Sequence, residues 1–329
     1  AKFLFPITAV GLGASLGRRW SPFRAGLTEY LNNVFLFYID MKLSRNIGDK
    51  FANKETVFSV EFFPPKTEEG ARQILRTANR LRGVSPDYVS ITYGAGGSTR
   101  ERTVEYGELL REIFDFEVMP HLTCFGNSKS EILDMLKRFD SSGFCNVMAL
   151  RGDPKKGETV FVPHPDGFKH ASELVGFIRE KYPHFGIGCA GYPEKHPEAK
   201  TLDEDIGYLK KKIDAGADFI VTQLFFDNSH FFRFLDKCRS AGINKPIIAG
   251  LLPALNLKQV SNFKAMCSSD IPQALLERLA NAPDGDGAKV GLEWARMQIE
   301  ELKSAKDDGI HLYILNRADS ALELARLIK

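Results

Sequence analysis

From residue 56 onward the chain alternates between two hydrophobic periods. Short runs rich in β-branched and aromatic residues read as strands: VFSVEFF (57–63), DYVSITYG (87–94), EVMPHLTCFG (117–126) and NVMALRGD (146–153). FGIGCAGYP (185–193), DFIVTQLFF (218–226), PIIAGLLPA (246–254) and IHLYILN (310–316) make eight. Between them lie stretches whose apolar residues recur at helical spacing, among them 68–83, 129–143, 202–216 and 230–242, and several end in Gly, a common helix stop. Strands alternating with helices predict a parallel sheet. Eight evenly spaced units predict a (β/α)₈ TIM barrel over 56–329 rather than an open doubly wound sheet. The seventh crossover, 256–308, is long enough for extra helices, which IPQALLERLA (271–280) and GLEWARMQIEELKSA (291–305) supply.

A barrel of this kind carries its chemistry on the C-terminal rim of its strands. The polar residues near the ends of the runs are Glu61, Thr92, His121, Asp153, Tyr192, Gln223 and Asn316. One polar strand end is ordinary, whereas seven on one rim build a site. Glu61 stands in FSVEFFPP, a carboxylate within an apolar run, and desolvation there would keep it protonated, as a general acid requires. Asp153, in LRGDP beside Arg151 and a glycine turn, is expected to stay ionised, so that the two carboxyls divide acid and electrostatic roles. YGAGGST (93–99) allows a close backbone approach but is no P-loop, and Lys210, Lys211 and Lys212 form a charge run that a helix can simply expose to water.

Composition narrows the classes. A net charge of +2 over 329 residues gives no electrostatic case for a nucleic-acid partner. The five cysteines stand singly, without C-x-x-C or zinc spacing, and read as small buried hydrophobes in a reducing compartment. The histidines have no metal-ligand spacing and no G-x-S-x-G elbow occurs, so neither a metal centre nor a serine hydrolase is expected. Residues 1–55 form a separate extension. It is basic and free of acids before Glu29, which suits a targeting, membrane-contacting or complex-docking arm and leaves cytoplasmic and mitochondrial locations open. GLGASLG (11–17) imitates a dinucleotide fingerprint but has Leu16 at the third glycine.

Eight ordered motifs, FSVEFFPPK, SITYGAGGSTR, PHLTC, ALRGDP, GYPEKHPEA, FIVTQLFFD, GLLP and YILNRA, together resemble methylenetetrahydrofolate reductase. The resemblance runs from about residue 56 to 328. It implies a barrel carrying non-covalent FAD, with NADH or NADPH as donor and methylenetetrahydrofolate as acceptor at the same face in a ping-pong sequence. It implies Glu61 as the acid that protonates N10, with Asp153 near flavin and pterin, and Gln223 orienting the pterin. Thr92, His121, Leu150, Arg151, Gly152, Asp153, Tyr192, His196, Asp205 and Lys212 fall where the family holds FAD. Arg317 matches a position for the folate tail, and Phe263 one over the stacked ring. Tyr208, Lys211 and His170 depart from the pattern of some members. The resemblance also implies the short form, without the C-terminal regulatory domain of animal and yeast enzymes, and leaves a homo-oligomer open. The alternative function is a reductase-derived structural or docking subunit of a larger assembly, membrane-associated or not and with or without retained activity, reached through residues 1–50.

Overall fold

The structure is a computed structural model that describes residues 46–53, 56–93, 100–153, 161–267, 269–305 and 308–329. These belong to one compact unit. The docking-arm reading falls almost wholly outside the described residues, as does the glycine loop 94–99.

All eight expected strands form. They are β1 (Val57–Phe62), β2 (Tyr88–Ile91), β3 (Val118–Thr123), β4 (Asn146–Leu150), β5 (Gly186–Gly191), β6 (Phe219–Thr222), β7 (Ile247–Leu251) and β8 (Gly309–Leu312). Each pairs in parallel with the next, and β8 pairs with β1 to close the barrel. The strands are shorter than the apolar runs: Glu61 and His121 sit within β1 and β3, whereas Thr92, Asp153, Tyr192, Gln223 and Asn316 lie on the loops beyond the ladder.

Local chemistry starts the outer helices. Ser128 and Glu131 form a reciprocal capping box, and the side chains of Thr67, Thr201 and Asp227 cap three other helices. The apolar faces of these helices bury the outward strand residues in one continuous layer that includes Val60, Val89, Leu122, Val147, Ile187 and Ile220.

Helix α1 (Ile47–Asn53), which the sequence reading leaves in the extension, closes the N-terminal mouth of the barrel. Ile47 is fully buried and its N–H donates to Asn146 Oδ1 at 2.9 Å, while the Phe51 ring lies 5.7 Å from that of Phe219. Val57, Tyr88, Met119 and Met148 complete this apolar floor. At the opposite end the seventh crossover holds three helices, Leu257–Cys267, Gln273–Ala280 and Gly287–Ser304. They pack with Leu224, Phe226, Leu252 and Ala254. Trp294 Nε1–H to Phe226 O (2.9 Å) and Asn228 Nδ2–H to Gln298 O (3.0 Å) pin the last of them. Among the described residues no helix is long and apolar enough to cross a membrane.

Candidate active site

Side-chain direction alternates along a strand, and one parity of each strand faces the barrel interior. Ser59 and Glu61 share that parity on β1, as do Ser90 on β2, Met119, His121 and Thr123 on β3, and His311 on β8, with Phe63, Thr92, Tyr313 and Leu315 on the loops just beyond. Above the apolar floor these side chains open into a cavity of about 330 Å³ at the C-terminal rim. Met148, Leu150, Gly152, Asp153, Tyr192, Gln223, Phe263 and Cys267 also line it.

A second cavity of about 440 Å³ adjoins the first and shares Leu150, Gly152, Asp153, Ala190 and Tyr192 with it. Arg151, His170, His196, Asp205, Tyr208, Lys211 and Lys212 form its outer wall. The structure thus gathers thirteen of the fourteen candidate residues along one trough. The exception, Arg317, is exposed and lines a neighbouring depression, joined to the first cavity through Tyr313 and Leu315.

Glu61 is 7% exposed. Burial pushes its carboxyl up from 4.5 to about 8, and the hydroxyl of Ser90, its cross-strand partner in register, offsets part of that rise. Two imidazoles face the same carboxyl oxygen, His121 Nε2 at 3.5 Å and His311 Nε2 at 4.0 Å. Burial lowers His121 to about 4 and, with the nearby His121, His311 to about 3, so both rings are neutral at pH 7. The acid therefore sits without a cationic partner among the described residues, in surroundings that favour its protonated form.

At the junction of the cavities, Gly152 adopts φ +88°. A Cβ there would stand 3.0 Å from Phe125 Cβ and 3.1 Å from Thr123 Cβ. Arg151 does not turn to Asp153 as its sequence neighbourhood suggests. Its guanidinium grips Glu198 through two hydrogen bonds of 2.6 and 2.7 Å and lies 4.8 Å from the Phe161 ring centre. Asp153 is left exposed to both cavities. Asp205 accepts the His196 N–H at 3.0 Å, and the Tyr192 and His196 rings meet edge to face. Lys212 donates to Ala190 O, and Lys211 lies 5.2 Å from the Tyr208 ring centre. Neither lysine has a carboxylate within 4 Å among the described residues. Gln223 Oε1 accepts the Leu224 N–H at 2.9 Å, leaving its amide N–H₂ for the cavity.

Asn316 corrects the rim reading. Its side chain bonds Phe63 N–H and Phe63 C=O, both at 2.9 Å, and so clamps the loop after β8 to the end of β1. At φ +57° the residue is also in a region that asparagine tolerates better than most. Asn316→Ala is expected to lower stability by about 1–2 kcal/mol in urea unfolding through two lost hydrogen bonds and backbone strain. Sequence reasoning missed Ser90, His311, Tyr313 and Glu198. Strand parity relative to Glu61 would have found the first three.

Comparison with known proteins decides the family. The sequence matches the family description "Methylenetetrahydrofolate reductase" over residues 46–329. The chain belongs to the methylenetetrahydrofolate reductase family. It is 36% identical over 273 residues to a 5,10-methylenetetrahydrofolate reductase of Salmonella typhimurium, covering 82% of this chain and 90% of that one. It is 40% identical over 294 residues to methylenetetrahydrofolate reductase (NADH) 1 of Arabidopsis thaliana, covering 86% of this chain and 50% of that one. The chain thus spans about half the length of its plant relatives. A solved protein of Clostridium thermocellum, described as binding two copies of 5-methyl-5,6,7,8-tetrahydrofolic acid, shares the fold with TM-score 0.62 at 18% identity, over 85% of this chain and 96% of that one.

Proposed function

We propose that this chain reduces 5,10-methylenetetrahydrofolate to 5-methyltetrahydrofolate, with electrons from NADH or NADPH passed through non-covalent FAD in two successive half-reactions. The observation that carries this reading is Glu61, a buried carboxyl that holds its proton at pH 7 on the rim of a barrel of this family. The plant relatives named for NADH favour that donor.

The residues fit a flavin dinucleotide. The trough is long, its junction is kept low by Gly152, and Leu150 and Ala190 give an apolar bed for a ring system. Lys211 and Lys212, with no carboxylate within 4 Å among the described residues, suit a diphosphate. Thr92, His121, Arg151, Tyr192, His196 and Asp205 would hold the remainder. When bound, FAD would supply the capacity to take two electrons from a nicotinamide and return them as hydride.

The other steps belong to side chains. Reduction breaks the bond between the bridging carbon and N10: N10 takes a proton and the carbon takes a hydride. Glu61 gives the proton to N10, which opens the five-membered ring to an iminium, and solvent later restores it. Asp153, exposed at the junction, stabilises the positive charge of the opened folate. Gln223 orients the pterin with its free amide N–H₂, Phe263 covers the ring, and Arg317 meets the anionic tail in the adjoining depression.

Purified protein is expected to be yellow, to bleach anaerobically with NADH or NADPH, and to regain its colour with methylenetetrahydrofolate. A colourless protein that stays inactive with added FAD would sink this reading.

A further inference from the structure

The barrel interior beneath Glu61 is more polar than a folate site on the rim requires. Ser59 and His311 are register partners across the β1–β8 seam, both nearly inaccessible to solvent. Ser59 Oγ lies 2.8 Å from His311 Nδ1. The ring is held from two more sides, by Tyr88 stacked at 6.3 Å and 16° and by Tyr313 edge-on at 5.0 Å and 86°. Its remaining nitrogen, Nε2, therefore has a fixed direction, and it faces Glu61 Oε2 at 4.0 Å.

The chemistry of the ring follows from its partners. A neutral imidazole carries one N–H and one lone pair. When the Ser59 hydroxyl donates to Nδ1, the proton must sit on Nε2, aimed at the carboxyl. The groups facing Glu61 are Ser90 and Tyr88 from β2, His121 from β3, His311 from β8 and Tyr313 just beyond it. None carries charge at pH 7, so a carboxylate formed here is stabilised only by dipoles. Such contacts are often long before substrate binds and tighten when charge develops.

We infer that His311, held at Nδ1 by Ser59 with its Nε2–H turned to the carboxyl, is a positioning residue for Glu61: it aims the carboxyl at the cavity and steadies the carboxylate left when the proton passes to N10. This rests on the proposed folate reduction. The arrangement has the logic of a catalytic pair oriented by a third group, with a buried acid in place of the usual nucleophile.

The test reads Glu61 itself. Its carboxyl band is isolated by infrared difference against Glu61→Gln and titrated without folate, where the wild-type midpoint is expected at about 8. Removing an N–H that favours the anion must raise the midpoint. His311→Leu is expected to move it up by about one pH unit, and Ser59→Ala by less in the same direction. His311→Gln, which keeps an N–H toward the carboxyl, is expected to return it toward the wild-type value. The folate half-reaction of His311→Leu should slow about tenfold, with its alkaline limb displaced upward.

An unmoved midpoint in His311→Leu overturns the inference. Should that variant fail to fold, as judged by lost reduction of bound flavin by NADH, the Ser59→Ala and His311→Gln pair decides by the same criterion. A wild type that bleaches with NADH but never recovers colour with methylenetetrahydrofolate overturns the proposed function instead. Folate reduction by the wild type together with an unmoved midpoint removes the positioning role alone.

Discussion

Replacing Glu61 by Gln is expected to abolish folate reduction, by about 10²–10⁴-fold, while reduction of the flavin by NADH or NADPH stays largely intact. Gln keeps the shape but has no acidic proton for N10. Anaerobic stopped-flow measurement of the two half-reactions checks this, and equal loss in both would refute the assigned role. In the wild type the folate half-reaction should fall as pH rises through about 8, where Glu61 loses its proton.

The same substitution should stabilise the protein. The folded carboxyl binds its proton up to about 8, whereas the unfolded chain releases it near 4.5. Between these values the native state binds more protons than the unfolded one, so this group's contribution to stability is fully present below pH 4.5 and is lost as pH rises to 8. The linkage slope is about 1.4 kcal/mol per pH unit, which makes the change from pH 5 to pH 8 roughly 4 kcal/mol. Urea unfolding at the two pH values should show this loss in the wild type and not in Glu61→Gln. A wild type no more pH-sensitive than the variant would show that Glu61 is ionised in the folded protein. The proposed proton donor thus has a standing cost in stability at neutral pH, as pre-organised catalytic groups commonly do.

Gly291→Ala is the second large effect expected. A Cβ at Gly291 would stand 1.8 Å from the Ala254 carbonyl oxygen and 2.5 Å from its carbon. The obstacle is backbone, so no rotamer relieves it, and the helix Gly287–Ser304 must move away from the loop after β7. A loss of about 3 kcal/mol is expected, seen as a lowered unfolding midpoint. That loop leads into the helix carrying Phe263, so affinity for the folate should fall as well. Gly207 is the control: nothing lies within 4 Å of its added Cβ and it sits inside a helix, so Gly207→Ala should gain about 0.5–1 kcal/mol. Equal effects at the two positions would mean that helix propensity, not the Ala254 contact, governs both.

The barrel was legible because each strand is an apolar run of distinctive length and each crossover has helical period. The rim was legible because polar residues interrupt or follow those runs. Reading the last polar residue of each run was too coarse. After β8 it selected Asn316, which the loop turns onto Phe63, and passed over His311, which shares the interior parity of Ser59 and Glu61. The pairing of Arg151 with Glu198 was hidden because it joins loops 47 residues apart. Helix α1 was missed for want of length: seven residues give no periodicity, and only the barrel mouth beside them explains why Ile47 and Phe51 are apolar.

That short helix bears on traffic through the molecule. Among the described residues, Ile47, Phe51 and the apolar side chains around them seal the floor and leave the rim as the way in. On the proposed function, donor, acceptor and the water that restores the Glu61 proton must all use the rim. Two bulky reactants cannot queue on opposite sides, so each occupies the doorway that the other needs. The proposed turn-taking would then follow from the architecture, and an excess of either reactant should obstruct the other.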